Sequence, residues 1–507
     1  MSGGDHMLHQ LVLENFKAFK KPAKVPMAPI TLIFGENSSG KSSILQSLSL
    51  LKQSWEQREG DRILLFRPRH PTVDLVGFKD VVYGQNPNVP ITFSLQISDQ
   101  DTSHWLEFEF VAEEVSRQQG LLQKIWLLGN NGQRLARWVS AEEVNDLRAF
   151  NAEDNTRLSN LFLLDWLTKS KPYWQKSYDL FMKGWLANGP WDFPHDAELI
   201  PYDKKTGCLH CDLDLYGGIP VAVFPVKPYG DFSLEDYIDW VDVCTDLSII
   251  KFDGILPTSV DGRDRVPALE GVDPVTLVTR AGSSFGRFLE RLIPLGPVRA
   301  RPRGWYEVRS MRDANVGYEG SEMPQLLLTS GEVVEKVNRW LQKLGIDYEI
   351  SILPLSSNLF EFKLIDARSK KRIEVSLSNV GYGISQVLPI VAQSLASQKT
   401  TIAIEQPELH IHPKLQANLG DLFSTTIKDP YHNQFLIETH SEHLILRLQS
   451  LVRTGVLTPE DISVLYVQRC RDGEGSEVIQ LRLDDEGDFL DEWPGGFFPE
   501  RINELLR

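Results

Sequence analysis

Apolar and polar positions sort the chain into alternating strand-like and helix-like stretches. Leu8 to Phe19 carries Leu11, Leu13, Phe16 and Phe19 among polar neighbours and is predicted as a strand, broken afterwards at Pro22 and Pro26. Ile30-Thr31-Leu32-Ile33-Phe34 is a short run of strand formers, and Ser43 to Gln53 places Ile44, Leu45, Leu48, Leu50 and Leu51 at helical spacing. A glycine loop joins the two. Asp80 to Tyr83, Pro90 to Ile97 and Trp105 to Ala112 are predicted as strands of an antiparallel sheet attached to this first lobe.

From about Ser116 to Pro294 the pattern changes. Seven of the twelve tryptophans (Trp126, Trp138, Trp166, Trp174, Trp185, Trp191, Trp240) fall here, among helix-like segments broken by Pro and Gly. No sustained heptads occur, so a long coiled coil is not expected, and the aromatics suit a packed core better than a partner surface. Regular patterning resumes with a helix over Gly331 to Leu344, strands at Tyr348 to Leu353 and Phe360 to Ile365, and a helix from Ser385 to Ala396. Two wholly apolar strands follow, Thr400 to Ile404 and Gln434 to Ile437, the second ending at Glu438-Thr439-His440-Ser441. Continuous apolar strands separated by helices imply a mainly parallel sheet with helices on both faces. The expected class is α/β, with an N-terminal lobe over 1–115, a mostly helical insertion over 116–295 and a C-terminal lobe over 296–507.

At 507 residues the chain exceeds what one core usually supports. No apolar run approaches the ~18 residues of a membrane span, and Met1 to Gln10 shows no secretion signal, so no membrane partner is expected. Four cysteines (Cys208, Cys211, Cys244, Cys470) are too few for a disulfide framework and suit a reducing cytoplasm. Cys208-Leu209-His210-Cys211 has zinc-knuckle spacing, but no second close pair follows to complete four ligands. A net charge of −16 argues against a constitutive nucleic-acid coat protein. Any DNA contact is expected to be local or shared with a partner, with Arg299, Arg301, Arg303, Arg309 and Arg312 as candidates; otherwise these form an arginine-rich surface loop.

The chemistry sits in a few segments. Gly35-Glu36-Asn37-Ser38-Ser39-Gly40-Lys41-Ser42, between strand and helix and followed by Ser43, is a phosphate loop. Its backbone N–H groups cradle phosphate oxygens, Lys41 neutralises them, Ser42 ligates Mg²⁺, and the helix N-terminus adds a favourable dipole. Such a loop requires a carboxylate for the metal and a group to orient water, both usually at the end of a buried strand. Glu405 ends the strand Ile402 to Ile404 and is expected to share the metal with Ser42; capping of the next helix is its alternative role.

These segments resemble a known family. Asn37 to Ser43, preceded by Leu13-Glu14-Asn15-Phe16-Lys17-Ala18-Phe19, is similar to the opening of SMC, RecF and OLD-type ATPases, which share the ABC-type nucleotide-binding head. Glu405-Gln406-Pro407-Glu408 resembles their Walker B turn, Glu438 to Ser441 their switch-histidine segment, and Ser378-Asn379-Val380-Gly381-Tyr382-Gly383-Ile384-Ser385-Gln386 a diverged ABC signature. The resemblance implies ATP and Mg²⁺ as cofactors and nucleotide held between two heads, hence a head-to-head homodimer or larger even assembly. Ser378, Gly381, Gly383, Ser385 and Gln386 would then face the γ-phosphate bound by the other copy, and His440 would sense it. Two departures stand out. Gln406 occupies the usual catalytic-glutamate position and is a poor proton acceptor, so Glu408 or His440 assists or hydrolysis is slow. The signature lacks its Ser-Gly-Gly core.

A wider likeness rests on Gly77-Phe78-Lys79-Asp80, Gly296-Pro297-Val298-Arg299, Gly381 to Pro389 and the ending Trp493-Pro494-Gly495-Gly496-Phe497-Phe498. These resemble prokaryotic AAA-family ATPases of anti-phage systems such as Septu and some retrons, whose partner is an HNH nuclease. That resemblance implies a sensor or regulatory ATPase controlling a separate nuclease. The chain itself shows no HNH pattern, and Asp212-Leu213-Asp214 lacks the acidic companions of a metal-dependent nuclease. A RecF- or SMC-like DNA-clamping ATPase and a nucleotide-occupied scaffold with little turnover are the alternatives.

Overall fold

The structure, a computed structural model, describes residues 7–57, 63–68, 72–99, 102–113, 119–128, 134–139, 202–203, 208–210, 223–225, 249–253, 256–261, 274–309 and 315–494. Two compact units divide the chain: Met1–Ser103, Phe110–Leu121 and Ser284–Arg507 form the first, His104–Glu109 and Leu122–Ser283 the second.

In the first unit, β1 (Met7–Glu14), β2 (Ala23–Pro26) and β3 (Ile30–Gly35) lead into helix α1 (Lys41–Gln57). The predicted strand to Phe19 ends earlier. Asn15 and Lys17 take φ of 53° and 51°, folding the chain back so that Phe16 and Phe19 exchange backbone hydrogen bonds of 3.0 and 2.9 Å. Short β4 (Ile63–Leu64) follows, and then Asp80 to Tyr83, predicted as a strand, instead closes the one-turn helix α2 (Phe78–Val81) and opens a 3₁₀ turn at Tyr83–Gln85. Four residues are too few to separate the two periods. Phe78 and Val81, three apart, both bury, which favours the helix. The predicted antiparallel sheet is present: β1 pairs with β2 and with β5 (Ile91–Asp99).

The described parts of the second unit are mainly strands. The middle of β6 (Thr102–Ala112), most of β7 (Gly120–Leu128) and β8 (Arg134–Val139) belong to it, with β7 and β8 antiparallel. β9 (Tyr202–Asp203), β10 (Cys208–His210) and β11 (Val223–Pro225) form a small sheet, and β12 (Ile249–Asp253) with β13 (Leu256–Asp261) a hairpin. The expectation of a mostly helical insertion thus meets strands wherever residues from 119 to 261 are described. Leu121, Leu122, Ile125 and Trp126 fit a helical period as well as a strand, a tie that periodicity alone does not break. The helix-like segments around Trp166, Trp174, Trp185, Trp191 and Trp240, together with Cys211, lie outside the described residues.

The rest of the first unit begins in helix α3 (Pro274–Glu290) and strand β14 (Leu292–Leu295). Helices α4 (Met323–Thr329) and α5 (Gly331–Leu344) come after β15 (Tyr306–Glu307) and precede β16 (Tyr348–Pro354), β17 (Leu359–Asp366) and β18 (Glu374–Ser376). Then come α6 (Tyr382–Ala396), β19 (Thr401–Glu405), α7 (Pro413–Thr426), β20 (Gln434–Glu438), α8 (Glu442–Arg453), β21 (Ile462–Arg469) and β22 (Ser476–Leu481).

The central sheet runs β14-β19-β20-β3-β21-β22, parallel throughout except for β22. Every residue of β3, β19 and β20 is buried, as strands sandwiched between helix layers must be. Ile30, Leu32, Phe34, Ile402, Ile404, Phe435 and Ile437 point to one face, in a core with Val337 and Leu341 of α5, Leu388 of α6, Leu422 of α7 and Leu448 of α8. The alternate positions Ile33, Ala403 and Leu436 turn to the other face, where α1 packs. This is the sheet the apolar runs foretell, with its P-loop strand in the interior.

One buried side chain ties the N-terminal sheet to this core. Gln434, 1% exposed, receives the Leu8 N–H (3.0 Å) and the Thr401 hydroxyl (3.1 Å) on Oε1 and donates from Nε2 to Leu8 O (2.7 Å) and Ala28 O (3.2 Å). Gln434→Leu keeps the size but strands these groups in the interior, and is expected to cost about 2–4 kcal/mol in urea unfolding. A loss below about 0.5 kcal/mol, the range of neutral surface changes, would show the network contributes little.

Candidate nucleotide site

The loop between β3 and α1 folds as its glycines require. Gly35 and Gly40 sit at φ of 144° and 107°, and Ser38 at 61°. A methyl group on Gly35 would lie 2.1 Å from Val467 O of β21, and one on Gly40 2.7 Å from Ala18 Cβ, so backbone packs where side chains cannot. Lys41, 4% exposed, donates to Gly35 O (2.9 Å) and Glu36 O (2.7 Å) within the loop. Burial lowers its pKa, while Glu438, Glu408 and Glu36 act to raise it. Ser39 Oγ is buried without a partner among the described residues. The expected loop residues Gly35 to Ser43 are gathered at the N-terminus of α1, a place whose backbone N–H groups suit an anion.

The carboxylates arrange themselves by strand order. β20 lies between β19 and β3, and Glu405 and Glu438 are register partners at the ends of β19 and β20. It is Glu438, on the strand next to the loop, whose Oε1 accepts the Ser42 hydroxyl at 3.0 Å. Its Oε2 is buried with no partner among the described residues. Glu405, 8% exposed, instead accepts the Tyr318 hydroxyl at 3.0 Å. Burial and the neighbouring Glu438 push the Glu405 carboxyl up to about 7 against the pull of Tyr318, Arg299 and Lys17. Burial also raises the pKa of Glu438, opposed by Ser42 and Lys41, and of Glu408. Glu405 in turn raises the Tyr318 phenol, already lifted by burial. Lys17 donates to Gln46 of α1.

Half-buried Glu408 has both oxygens engaged by the switch segment: the Thr439 hydroxyl donates to Oε2 (2.8 Å) and the His440 backbone N–H to Oε1 (2.7 Å). It clamps His440 rather than standing free to take a proton. Gln406, at φ 46°, donates its backbone N–H to Glu438 O at 2.8 Å, which fixes the turn after β19. Burial, then Lys41, lowers the His440 pKa, favouring neutral imidazole.

A hydroxyl and a carboxylate with an unpartnered oxygen suit a hard cation that keeps waters and phosphate oxygens as its other ligands. Mg²⁺ therefore fits Ser42 Oγ and Glu438. Among the described residues no three His, Cys, Asp or Glu side chains form a metal cluster, so an all-protein cage is not what these residues build. Three carboxylates raised in pKa lie close together at this end of the sheet, where Mg²⁺ and Lys41 can supply the positive charge they lack.

The signature residues divide. Ser378 and Gly381 are exposed, and Tyr382 is 41% exposed with its ring edge-on to His410 at 5.0 Å. Gly383 packs so closely that a methyl there would lie 2.6 Å from His410 O. Ser385 and Gln386 are buried: Ser385 donates to Tyr382 O (2.7 Å), and Gln386 Oε1 accepts the Arg299 backbone N–H (3.4 Å). Of the arginine run, Arg301, Arg303 and Arg309 are exposed, whereas Arg299 is 3% exposed and no part of a surface loop; Arg312 lies outside the described residues. Glu438, Tyr318 and Arg299 are the site residues that sequence reasoning did not assign here. Each ends or follows a buried strand or touches one that does, the place where open α/β sheets collect ligands.

A P-loop inside a mainly parallel sheet, with carboxylates at the ends of two neighbouring strands, defines the class: a P-loop ATPase head. Residues 7–112 and 327–445 match the family model described as an AAA ATPase domain, and residues 457–507 one described as a protein of unknown function. None of the curated proteins matches. Among solved structures, the SMC head domain from Thermotoga maritima aligns at 11% identity and TM-score 0.37, covering 94% of this chain and 99% of that one. The Smc head domain with an extended coiled coil from Pyrococcus furiosus, bound to the C-terminal domain of ScpA, aligns at 11% and 0.41, covering 99% and 98%. The Smc head with a coiled coil and joint from Pyrococcus yayanosii gives 11% and 0.41, covering 99% and 100%. At such TM-scores the likeness adds no weight to the fold described above. No helix among the described residues is long and apolar enough to cross a membrane.

Proposed function

We propose that the chain is a Mg²⁺-dependent ATPase whose nucleotide-bound heads associate as a homodimer and act as a regulatory switch. The observation that carries this is the Ser42–Glu438 pair beside Lys41, with an unpartnered carboxylate oxygen in a loop shaped for phosphate. Lys41 would leave the loop carbonyls for phosphate oxygens, and the first turn of α1 would present its N–H groups to them. Ser42 and Glu438 would hold Mg²⁺, which when bound would supply charge neutralisation of the transferring phosphoryl group. Gln406 can orient water but not take its proton. Glu405, with a pKa near neutrality, can take it, and the Tyr318 hydroxyl holds that carboxylate in place.

The regulatory reading, control of a separate HNH-type nuclease in anti-phage defence, rests on the sequence resemblance. The exposed start of the signature, Ser378 to Tyr382, is what a second head would meet. A DNA-clamping role is the second reading, favoured by exposed Arg301, Arg303 and Arg309 beside Trp305, itself 55% exposed. The purified chain with MgATP is expected to turn over ATP, to stop on addition of EDTA, and to rise in mass to an even-numbered assembly. Absence of nucleotide binding at millimolar MgATP would sink the ATPase reading; turnover stimulated by duplex DNA, and lost with salt, would move the assignment to the second.

A further inference from the structure

At the same end of the central sheet as the phosphate loop, the structure holds a second set of donors without a task. Arg299 follows the end of β14 and is 3% exposed, yet its Nε and Nη1 are buried with no hydrogen-bond partner among the described residues. Gln386, 4% exposed in the first turns of α6, has its Nε2 in the same condition. The two residues are neighbours, the Arg299 backbone N–H donating to Gln386 Oε1 (3.4 Å). Each unmet buried donor costs about 1–3 kcal/mol, so three on two neighbouring residues call for a ligand that completes them.

The segment carrying Arg299 is held firmly. Gly296 N–H donates to Tyr318 O (2.9 Å) and Ala300 N–H to Glu319 O (2.8 Å), one on either side of Arg299. Gly296 also lies flat on the Tyr318 ring, where a methyl would come within 2.5 Å. Arg299 feels the charges of Glu405 and Glu408, and Lys41 also feels that of Glu408, so the guanidinium and the loop lysine lie within electrostatic reach of the same carboxylate. Among the described residues no carboxylate takes Nε or Nη1.

We propose that Arg299 Nε and Nη1 with Gln386 Nε2 bind the terminal phosphoryl group of a nucleoside triphosphate in the same chain. The inference rests on the ATP reading above and deepens it. A guanidinium presents its N–H groups as a planar fork matched to phosphoryl oxygens, and the amide adds a neutral donor beside it. A diphosphate has no group to place there, so this subsite discriminates ATP from ADP. It also gives Gln386 a role toward its own nucleotide instead of one bound by a second copy.

Calorimetry with AMP-PNP and with ADP, each with Mg²⁺, tests this on the full chain. Arg299→Met is expected to weaken AMP-PNP binding roughly 10- to 100-fold, the range for hydrogen bonds to charged groups, and ADP binding by less than about threefold. Gln386→Leu is expected to show the same selectivity at roughly 3- to 10-fold. If Arg299 only neutralises Glu405, the double variant Arg299→Met with Glu405→Gln recovers AMP-PNP affinity; the proposal expects no recovery. Equal loss of both nucleotides, loss of neither, or recovery in the double variant overturns it, and should Arg299→Met fail to fold, Gln386→Leu decides alone. Failure of the parent reading looks different: wild type then binds neither nucleotide, or Lys41→Ala leaves both affinities intact, and the subsite falls with it.

Discussion

Glu438→Gln is expected to raise the Mg²⁺ concentration for half-maximal ATP turnover by roughly 100-fold or more, the scale for losing a charged oxygen from the surroundings of a hard cation. The amide oxygen can still accept the Ser42 hydroxyl, so the loop should keep its shape and nucleotide affinity without metal should change little. Glu405→Gln makes the contrast. It leaves the Ser42–Glu438 pair untouched, so the Mg²⁺ midpoint should move only a few-fold while turnover itself falls through loss of the proton acceptor. Magnesium titrations of steady-state turnover separate the two. A midpoint shifted by Glu405→Gln and not by Glu438→Gln would return the metal to Glu405, as the sequence first suggests.

The second large effect is on stability and depends on pH. Glu405 has a pKa of about 7 in the folded chain against an ordinary 4.5. Between those values the folded chain holds a proton that the unfolded chain has released. The stabilisation is therefore complete below about pH 4.5 and is lost as pH rises through 7. A difference of about 2.5 in pKa corresponds to roughly 3 kcal/mol. His440 works the other way, since its lowered pKa makes the folded chain gain stability as pH rises through the ordinary histidine range. Comparing wild type with Glu405→Gln removes that opposing contribution. Whatever the difference at pH 4, it should shift by roughly 3 kcal/mol in favour of the variant by pH 8 in urea unfolding without nucleotide. A difference that does not vary with pH would mean Glu405 ionises as an ordinary carboxyl.

The phosphate loop was legible because its chemistry is packed into eight consecutive residues bounded by a strand and a helix. The apolar stretches Ile402–Ile404 and Phe435–Ile437 inside β19 and β20 were legible for a similar reason: burial on both faces leaves little room for polar residues between the strand ends. Which carboxylate meets Ser42 was not, because parallel strands are joined by crossovers and their lateral order is absent from their chain order. Only β20 lying between β19 and β3 brings Glu438, not Glu405, to the loop. Arg299 was hidden by its company, one of five arginines in fourteen residues, of which Arg301, Arg303 and Arg309 do face outward. Its place directly after the apolar strand Leu292–Leu295 was the available signal. The candidate signature read as one motif, yet the start of α6 separates its exposed residues from Ser385 and Gln386, one turn further in.

The interior place of β3 bears on the order of events during synthesis. Ile30–Gly35 is made long before its neighbours on the two sides, Gln434–Glu438 and Ile462–Arg469. At roughly 5–20 residues per second, a ribosome needs tens of seconds to supply them. Throughout that interval the nascent chain carries an apolar strand with both edges open, the kind of segment that pairs with the wrong neighbour. The phosphate loop thus leaves the ribosome well before it can be assembled, and no fragment ending before residue 434 can hold nucleotide in the manner of the whole chain.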